Sequence, residues 1–135
     1  MPTQETGQTV LVVDDNKDAL ASIKILLEMI GLKVMAMNDG EEALEEIKNH
    51  KYDLLIFDVS MPGIDGVDLF RVVRESDGCR DIPVMFTSGF PSWSEPEERR
   101  RAILNMAEAY MQKPFNMDVF FATIRRLLKA QQPIA

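Results

Sequence analysis

Short apolar runs alternate with amphipathic stretches along this chain. Uninterrupted apolar runs are typical of strands that are buried on both faces of a parallel sheet, and two of them end abruptly at an aspartate. The pattern predicts strands at residues 10–13, 33–37, 54–57, 84–88 and 109–111.

The stretches between these runs carry apolar residues at helical spacing. Gly31 follows the first such stretch and is expected to cap its C-terminus. Near the end of the chain, Val119 and Phe120 are expected to face the core. The spacing predicts helices at residues 18–30, 41–50, 67–75 and 117–130, with a charged helix after a proline-rich loop.

Strand–helix alternation repeated about five times predicts an α/β fold, a three-layer open sheet with helices on both faces. In such sheets, ligands bind beyond the carboxyl ends of the strands. The residues that carry chemistry cluster at those ends, with Lys113 expected just past the last strand: Asp14, Asp15, Asp58, Thr87, Ser88 and Lys113.

Composition narrows the class of protein. A chain of 135 residues is one domain, since about 100–200 residues per domain is usual. The net charge of −7 disfavours direct binding to nucleic acid. The single Cys79 excludes an intrachain disulfide and a multi-cysteine zinc site. No apolar run reaches the roughly 20 residues that cross a bilayer, and residues 1–8 are polar without a signal core. We therefore expect a soluble, cytoplasmic protein, with a domain at residues 9–130 and a C-terminal tail at 131–135.

Three acids at one edge of a sheet repel one another, which raises their pKa values or requires a cation. Mg²⁺ prefers carboxylates, waters and phosphate oxygens, so Asp14, Asp15 and Asp58 beside Lys113 predict a phosphate-handling Mg²⁺ site. A carboxylate can itself be the nucleophile and form an aspartyl phosphate. A hydroxyl group at the end of another strand can then sense the added phosphate oxygens.

Three segments resemble the receiver domain of bacterial two-component response regulators, such as the chemotaxis regulators. These are VVDDN from residue 12, DVSMPGIDG from residue 58 and KPF from residue 113, and the resemblance runs over residues 8–130. The resemblance implies a flavodoxin-like (βα)5 fold with five parallel strands in the order 2-1-3-4-5. The alternation of elements alone predicts only the class.

The resemblance also implies roles for particular residues. Asp58 is the implied phosphoacceptor. Asp15, Asp58 and the backbone carbonyl of Ser60 are the implied Mg²⁺ ligands, and Asp14 is implied to act near the metal through water. Lys113 is implied to pair with the phosphoryl group, and Tyr110 is implied to be the aromatic switch residue. The resemblance also implies a cis Lys113–Pro114 bond.

The phosphate-sensing hydroxyl has two candidates, Thr87 and Ser88. Successive strand residues face opposite ways, so one of them is expected to face the site. In the family this hydroxyl is usually five residues after the proline that opens the strand, followed by a very small residue. Pro83 and Gly89 therefore favour Ser88, whereas a bulge would favour Thr87. The loop that follows, residues 90–96, is longer than in compact receivers, and its Trp93 is interpreted either as a cover for an apolar edge or as a partner contact.

These features favour a signalling module that accepts phosphate on Asp58 and has no turnover of an external substrate. The implied partners are a histidine kinase or a histidine phosphotransfer protein and a downstream effector of unknown identity. One alternative is a Mg²⁺-dependent phosphatase with an aspartyl-phosphate intermediate, although Ser60 stands where such enzymes usually have a second acid. Another is a receiver-like interaction domain that works without phosphate.

Overall fold

Five parallel strands and five helices alternate in the computed structural model, which describes residues 7–59, 61–89 and 96–129. The strands pair in the order β2-β1-β3-β4-β5, as the resemblance implies. The elements are β1 Thr9–Val13, α1 Lys17–Met29, β2 Lys33–Met37, α2 Gly40–Asn49, β3 Leu54–Asp58, α3 Gly66–Glu75, β4 Val84–Gly89, α4 Glu97–Leu104, β5 Ala109–Lys113 and α5 Met117–Lys129.

Two buried clusters lie on opposite faces of the sheet, which confirms the three-layer architecture. The first packs alternate strand residues against α2, α3 and α4 and includes Leu11, Phe57, Phe86, Ile47, Phe70, Val73 and Ile103. The second packs the intervening strand residues against α1 and α5 and includes Val12, Ile56, Met85, Ile23, Leu27, Phe120 and Ile124. None of the helices in the described residues is both long and apolar enough to cross a bilayer.

Strands β3, β4 and β5 extend further toward their carboxyl ends than their apolar residues do. β3 includes Asp58 and β4 includes Gly89. The placement of Lys113 just past the last strand is wrong, because Lys113 pairs with Gly89 and is the last residue of β5. Backbone pairing continues where the side chains turn polar, so Asp58 and Lys113 belong to the sheet itself.

The structure contradicts the predicted position of Val119 and confirms the predicted cap at Gly31. Val119 is 54% exposed, so its expected inward position is wrong. Its neighbour Phe120 is fully buried, and a rotation of about 100° per helical residue moves Val119 off that stripe. Gly31 follows the last turn of α1 with φ of 87°, which confirms the predicted C-terminal cap.

Helix α3 begins directly against the end of β3. A Cβ atom at Gly66 would lie 2.2 Å from the carbonyl oxygen of Asp58 and 3.0 Å from the Cβ of Phe57, so only glycine fits there. The carboxylate of Asp65 accepts hydrogen bonds from the backbone N–H groups of Val67 and Asp68 at 3.0 and 3.1 Å. The connection that leaves Asp58 is therefore anchored where it enters the helix.

We expect Gly66→Ala to lower the free energy of unfolding by at least about 2 kcal/mol, because the new methyl group must push the end of β3 away. Urea unfolding measures this change. Gly63→Ala is the control: Gly63 has φ of 73° but no atom within 4 Å of the added Cβ, so it loses only about 1 kcal/mol. Equal losses in the two variants would contradict the close approach.

Candidate functional site

The pleat of the sheet directs four polar side chains toward the face covered by α1 and α5. Ile56 and Met85 point into the cluster on that face, and Asp58 and Thr87 come two residues later on the same strands. By the same alternation, Asp14 follows Val12, and Lys113 follows Met111. Three side chains from β3, β4 and β5 and one that directly follows β1 therefore meet at the carboxyl edge of one face: Asp58, Thr87, Lys113 and Asp14.

Lys113 joins two carboxylates at this edge. Its Nζ lies 2.5 Å from Oδ2 of Asp14 and 3.3 Å from Oδ2 of Asp58. Asp14 is fully buried, and its other oxygen accepts a hydrogen bond from the backbone N–H of Asn16 at 2.9 Å. Asp58 is 6% exposed. The ammonium group thus partly neutralises two acids that could not otherwise remain charged together at low cost.

The surroundings of Lys113 hold it in the charged form. Burial alone would lower its pKa, but the hydrogen bond to Asp14 and the charges of Asp58 and Asp14 raise the pKa above its ordinary value of 10.5. A raised pKa of a cation contributes stability that is fully present below 10.5 and is lost as the pH rises through the folded-state value. Lys113 is therefore an ammonium group at neutral pH.

The three acids come close enough to share a metal ion. One carboxylate oxygen each from Asp14, Asp15 and Asp58 lies within 4.8 Å of the others. Asp15 is exposed and, in the part of the chain that the structure describes, makes no hydrogen bond or ion pair. An oxygen-only donor set with excess negative charge fits a hard divalent cation such as Mg²⁺. Ser60, the further implied ligand, lies outside the described residues.

The two candidate hydroxyl groups lie on opposite faces of β4. Thr87 is 1% exposed and is the cross-strand partner of Asp58. Ser88 is also buried, and its Oγ accepts a hydrogen bond from the hydroxyl of Tyr110 at 3.5 Å. The pairing of β4 with β5 runs from Met85 to Gly89 without a bulge. Thr87 therefore shares the face of Asp58, whereas Ser88 and Tyr110 share the other, and the sensing role of Ser88 stays a prediction.

Asn16 is a site residue whose role the sequence interpretation missed. Its side-chain oxygen accepts a hydrogen bond from the N–H of Ala19 at 2.9 Å and so caps α1, while its own N–H holds Asp14. Asparagine is a preferred N-cap, so its position just before a predicted helix is the signal that could have identified it.

The structure confirms the predicted cis peptide bond and leaves the predictions for the 90–96 loop and the C-terminal tail untested. The Lys113–Pro114 bond is cis, as the resemblance implies. Trp93 and residues 90–95 lie outside the described residues, as do residues 131–135, so the interpretations of that loop and of the C-terminal tail stay predictions.

Comparisons with known proteins identify the family and the fold of this chain. The family model of the response regulator receiver domain matches residues 10–125. A gliding motility regulatory protein of Myxococcus xanthus is 37% identical over 119 residues, 87% of this chain and 15% of that protein. The transcriptional regulatory protein PrrA of Mycobacterium tuberculosis is 34% identical over 129 residues, 96% of this chain and 53% of that protein. The signal receiver domain of a histidine kinase from Syntrophus aciditrophicus superposes with a TM-score of 0.83 at 27% identity, over 96% of both chains. The chain thus spans about half of PrrA and a smaller part of the gliding motility protein.

We expect Lys113→Met to lower the free energy of unfolding at pH 7 by about 2 kcal/mol. Breaking a fully buried ion pair costs roughly 3–5 kcal/mol, and the side chain of Lys113 is 20% exposed, which reduces that cost. The difference from the unmodified protein should shrink as the pH rises through the folded-state pKa of Lys113, where that protein loses the same charge.

Urea unfolding at pH 7 and at alkaline pH measures both effects. Lys24→Met is the control, because Lys24 forms only an exposed pair with Glu28 and should lose less than about 0.5 kcal/mol. Equal losses in the two variants at pH 7 would show that Lys113 does not compensate the acids.

Proposed function

We propose a function from one premise: the chain belongs to the response regulator receiver domain family, whose members are signalling modules. We infer that Asp58 accepts a phosphoryl group from a phosphohistidine on a partner histidine kinase or histidine phosphotransfer protein. The observation that carries this proposal is the position of Lys113 Nζ between Asp14 and Asp58 at the carboxyl edge of the sheet. The added phosphate then changes which downstream effector the chain prefers.

The proposed transfer needs one nucleophile and one movable cation from this chain. A carboxylate oxygen of Asp58 forms a bond to phosphorus while the phosphorus–nitrogen bond of the phosphohistidine breaks. The imidazole nitrogen leaves with the electron pair of that bond. Asp58 is held by strand pairing and by the close approach of Gly66, so its carboxylate is preorganised. Lys113 turns from the carboxylates toward the phosphoryl oxygens and neutralises the charge that arrives.

The acidic cluster supports a proposed requirement for Mg²⁺. Asp15 and Asp58 would hold the ion directly, with the carbonyl of Ser60, and Asp14 would hold it through water. When bound, Mg²⁺ supplies positive charge that stabilises the phosphoryl oxygens during transfer. The excess of three carboxylates over one nearby ammonium group is the feature of this chain that supports such an ion.

The pair of Ser88 and Tyr110 supports a proposed switch. Their oxygens are 3.5 Å apart, and Tyr110 is 37% exposed. Phosphate brings strong acceptors to the carboxyl edge, so the Ser88 hydroxyl reorients toward them and Tyr110 turns inward. The surface formed by α4, β5 and α5 then changes its preferred partner, as a shift between two populated states.

The place of this chemistry in the cell is also a proposal. We infer a cytoplasmic module that contacts neither membrane nor nucleic acid directly. The net charge of −7 supports the absence of direct contact with nucleic acid. PrrA is named a transcriptional regulatory protein, but this chain spans 53% of it, so the identity of the output is left to experiment.

We expect acetyl phosphate with Mg²⁺ to add one phosphoryl group per chain. Asp58→Asn removes the nucleophile and should abolish the addition, and chelation of Mg²⁺ with EDTA should do the same in the unmodified protein. Intact-protein mass spectrometry measures the added mass. Asp77→Asn is the matched control, because Asp77 is an exposed acid that pairs with Arg80 away from the site.

Three other results of these measurements would count against the proposal. Phosphorylation of Asp58→Asn at the normal level would contradict the assignment of Asp58. Steady hydrolysis of p-nitrophenyl phosphate by the unmodified protein would favour the phosphatase. An unmodified protein that stays unphosphorylated would favour the interaction domain that works without phosphate.

A further inference from the structure

Thr87 is the cross-strand neighbour of the proposed phosphoacceptor. The Cα of Thr87 lies opposite that of Asp58 in the pairing of β3 with β4, and opposite that of Met111 in the pairing of β4 with β5. The carbonyl oxygen of Thr87 accepts a hydrogen bond from the N–H of Val59 at 2.9 Å, which fixes the two backbones together. The Thr87 side chain thus projects from the same face as Asp58 and Lys113, one strand away from each.

The hydroxyl group of Thr87 is buried without a hydrogen-bond partner among the residues that the structure describes. Burying an unpartnered hydroxyl group is unfavourable, and a valine of nearly the same shape would avoid that penalty. The other strand residues of β4 that pack in the core are apolar, from Val84 to Phe86. A threonine at this position therefore indicates that its hydroxyl group gains a partner in another state of the protein.

Lys113 determines when such a partner becomes available. In the structure, Nζ of Lys113 lies within hydrogen-bonding distance of both Asp14 and Asp58. During the proposed transfer this ammonium group turns to the phosphoryl oxygens, and the carboxyl group of Asp58 loses a donor. Thr87 is the adjacent buried donor on the same face. Ser88 projects from the opposite face, where it contacts Tyr110.

We propose that Thr87 is a positioning residue for phosphoryl transfer, with its hydroxyl group donating a hydrogen bond to the carboxyl oxygen of Asp58 that does not bond to phosphorus. This inference rests on the proposed function. The bond orients the attacking oxygen of Asp58 during phosphorylation. It also stabilises the negative charge that returns to the carboxylate when water displaces the phosphoryl group. The same hydroxyl group therefore accelerates phosphorylation by orienting the nucleophile and accelerates hydrolysis by stabilising the leaving carboxylate.

The test compares the rates of phosphorylation and of phosphate loss in three variants. Acetyl phosphate with Mg²⁺ is the donor, and intact-protein mass spectrometry follows both reactions. We expect Thr87→Val to slow each rate by about tenfold to a hundredfold, as loss of a hydrogen bond to a charged group implies. Thr87→Ser retains the hydroxyl group and should stay within about twofold of the unmodified protein, and Thr87→Ala should lose as much as Thr87→Val.

Stability and a matched control separate positioning from packing. Thr87→Val should be at least as stable to urea as the unmodified protein, because it removes an unpartnered buried hydroxyl group. Thr123→Val, in which the hydroxyl group lost is bonded to the carbonyl of Val119 on α5, should leave both rates unchanged.

Results that contradict the role of Thr87 differ from results that contradict the proposed function. Unchanged rates in Thr87→Val, or slowing in Thr87→Ser equal to that in Thr87→Val, would overturn the positioning role. Failure of the proposed function is recognised separately, since the unmodified protein would then acquire no phosphate.

Discussion

One ammonium group compensates two buried carboxylates at the carboxyl edge of this sheet. Asp58 ends β3, and Asp14 directly follows the adjacent strand β1. Lys113 reaches both from β5, two strands beyond β3. Two buried carboxylates without a cation in this position would destabilise the fold. The compensation is incomplete, because Asp15 adds a third negative charge. The resting structure thus keeps an excess of negative charge at the place where a divalent cation and a phosphoryl group would be handled.

The sheet creates this cluster from residues that are distant in sequence. Lys113 is 99 residues from Asp14 and 55 from Asp58. Apolar packing on both faces fixes the register of the strands, and the register fixes which side chains meet. Gly66 also fixes the position of Asp58, since the absence of a side chain lets α3 begin directly against the end of β3. Packing and register therefore place Asp58, the proposed phosphoacceptor, beside Lys113.

Much of this arrangement can be predicted from the sequence. The features that cannot be predicted depend on contacts between distant segments or on strand register. The apolar runs predict the strands, and the sheet-edge rule brings Asp14, Asp58 and Lys113 to one edge. Only the resemblance predicts the strand order, because pairing joins segments that are distant in sequence and leaves no local pattern. The apolar pattern predicts Lys113 outside β5, because that pattern ends before the backbone ladder does. The faces of Thr87 and Ser88 required the observed register, which shows that the two hydroxyl groups approach the edge from opposite sides.

The central claim is that the acidic cluster retains enough negative charge to bind a divalent cation. Isothermal titration calorimetry with Mg²⁺ tests it without any phosphoryl donor. We expect a single site in the unmodified protein and a loss of affinity of at least about tenfold in Asp15→Asn, which removes the exposed acid but leaves the Lys113 contacts in place. Equal affinity in the two proteins, or no binding to either, would contradict it.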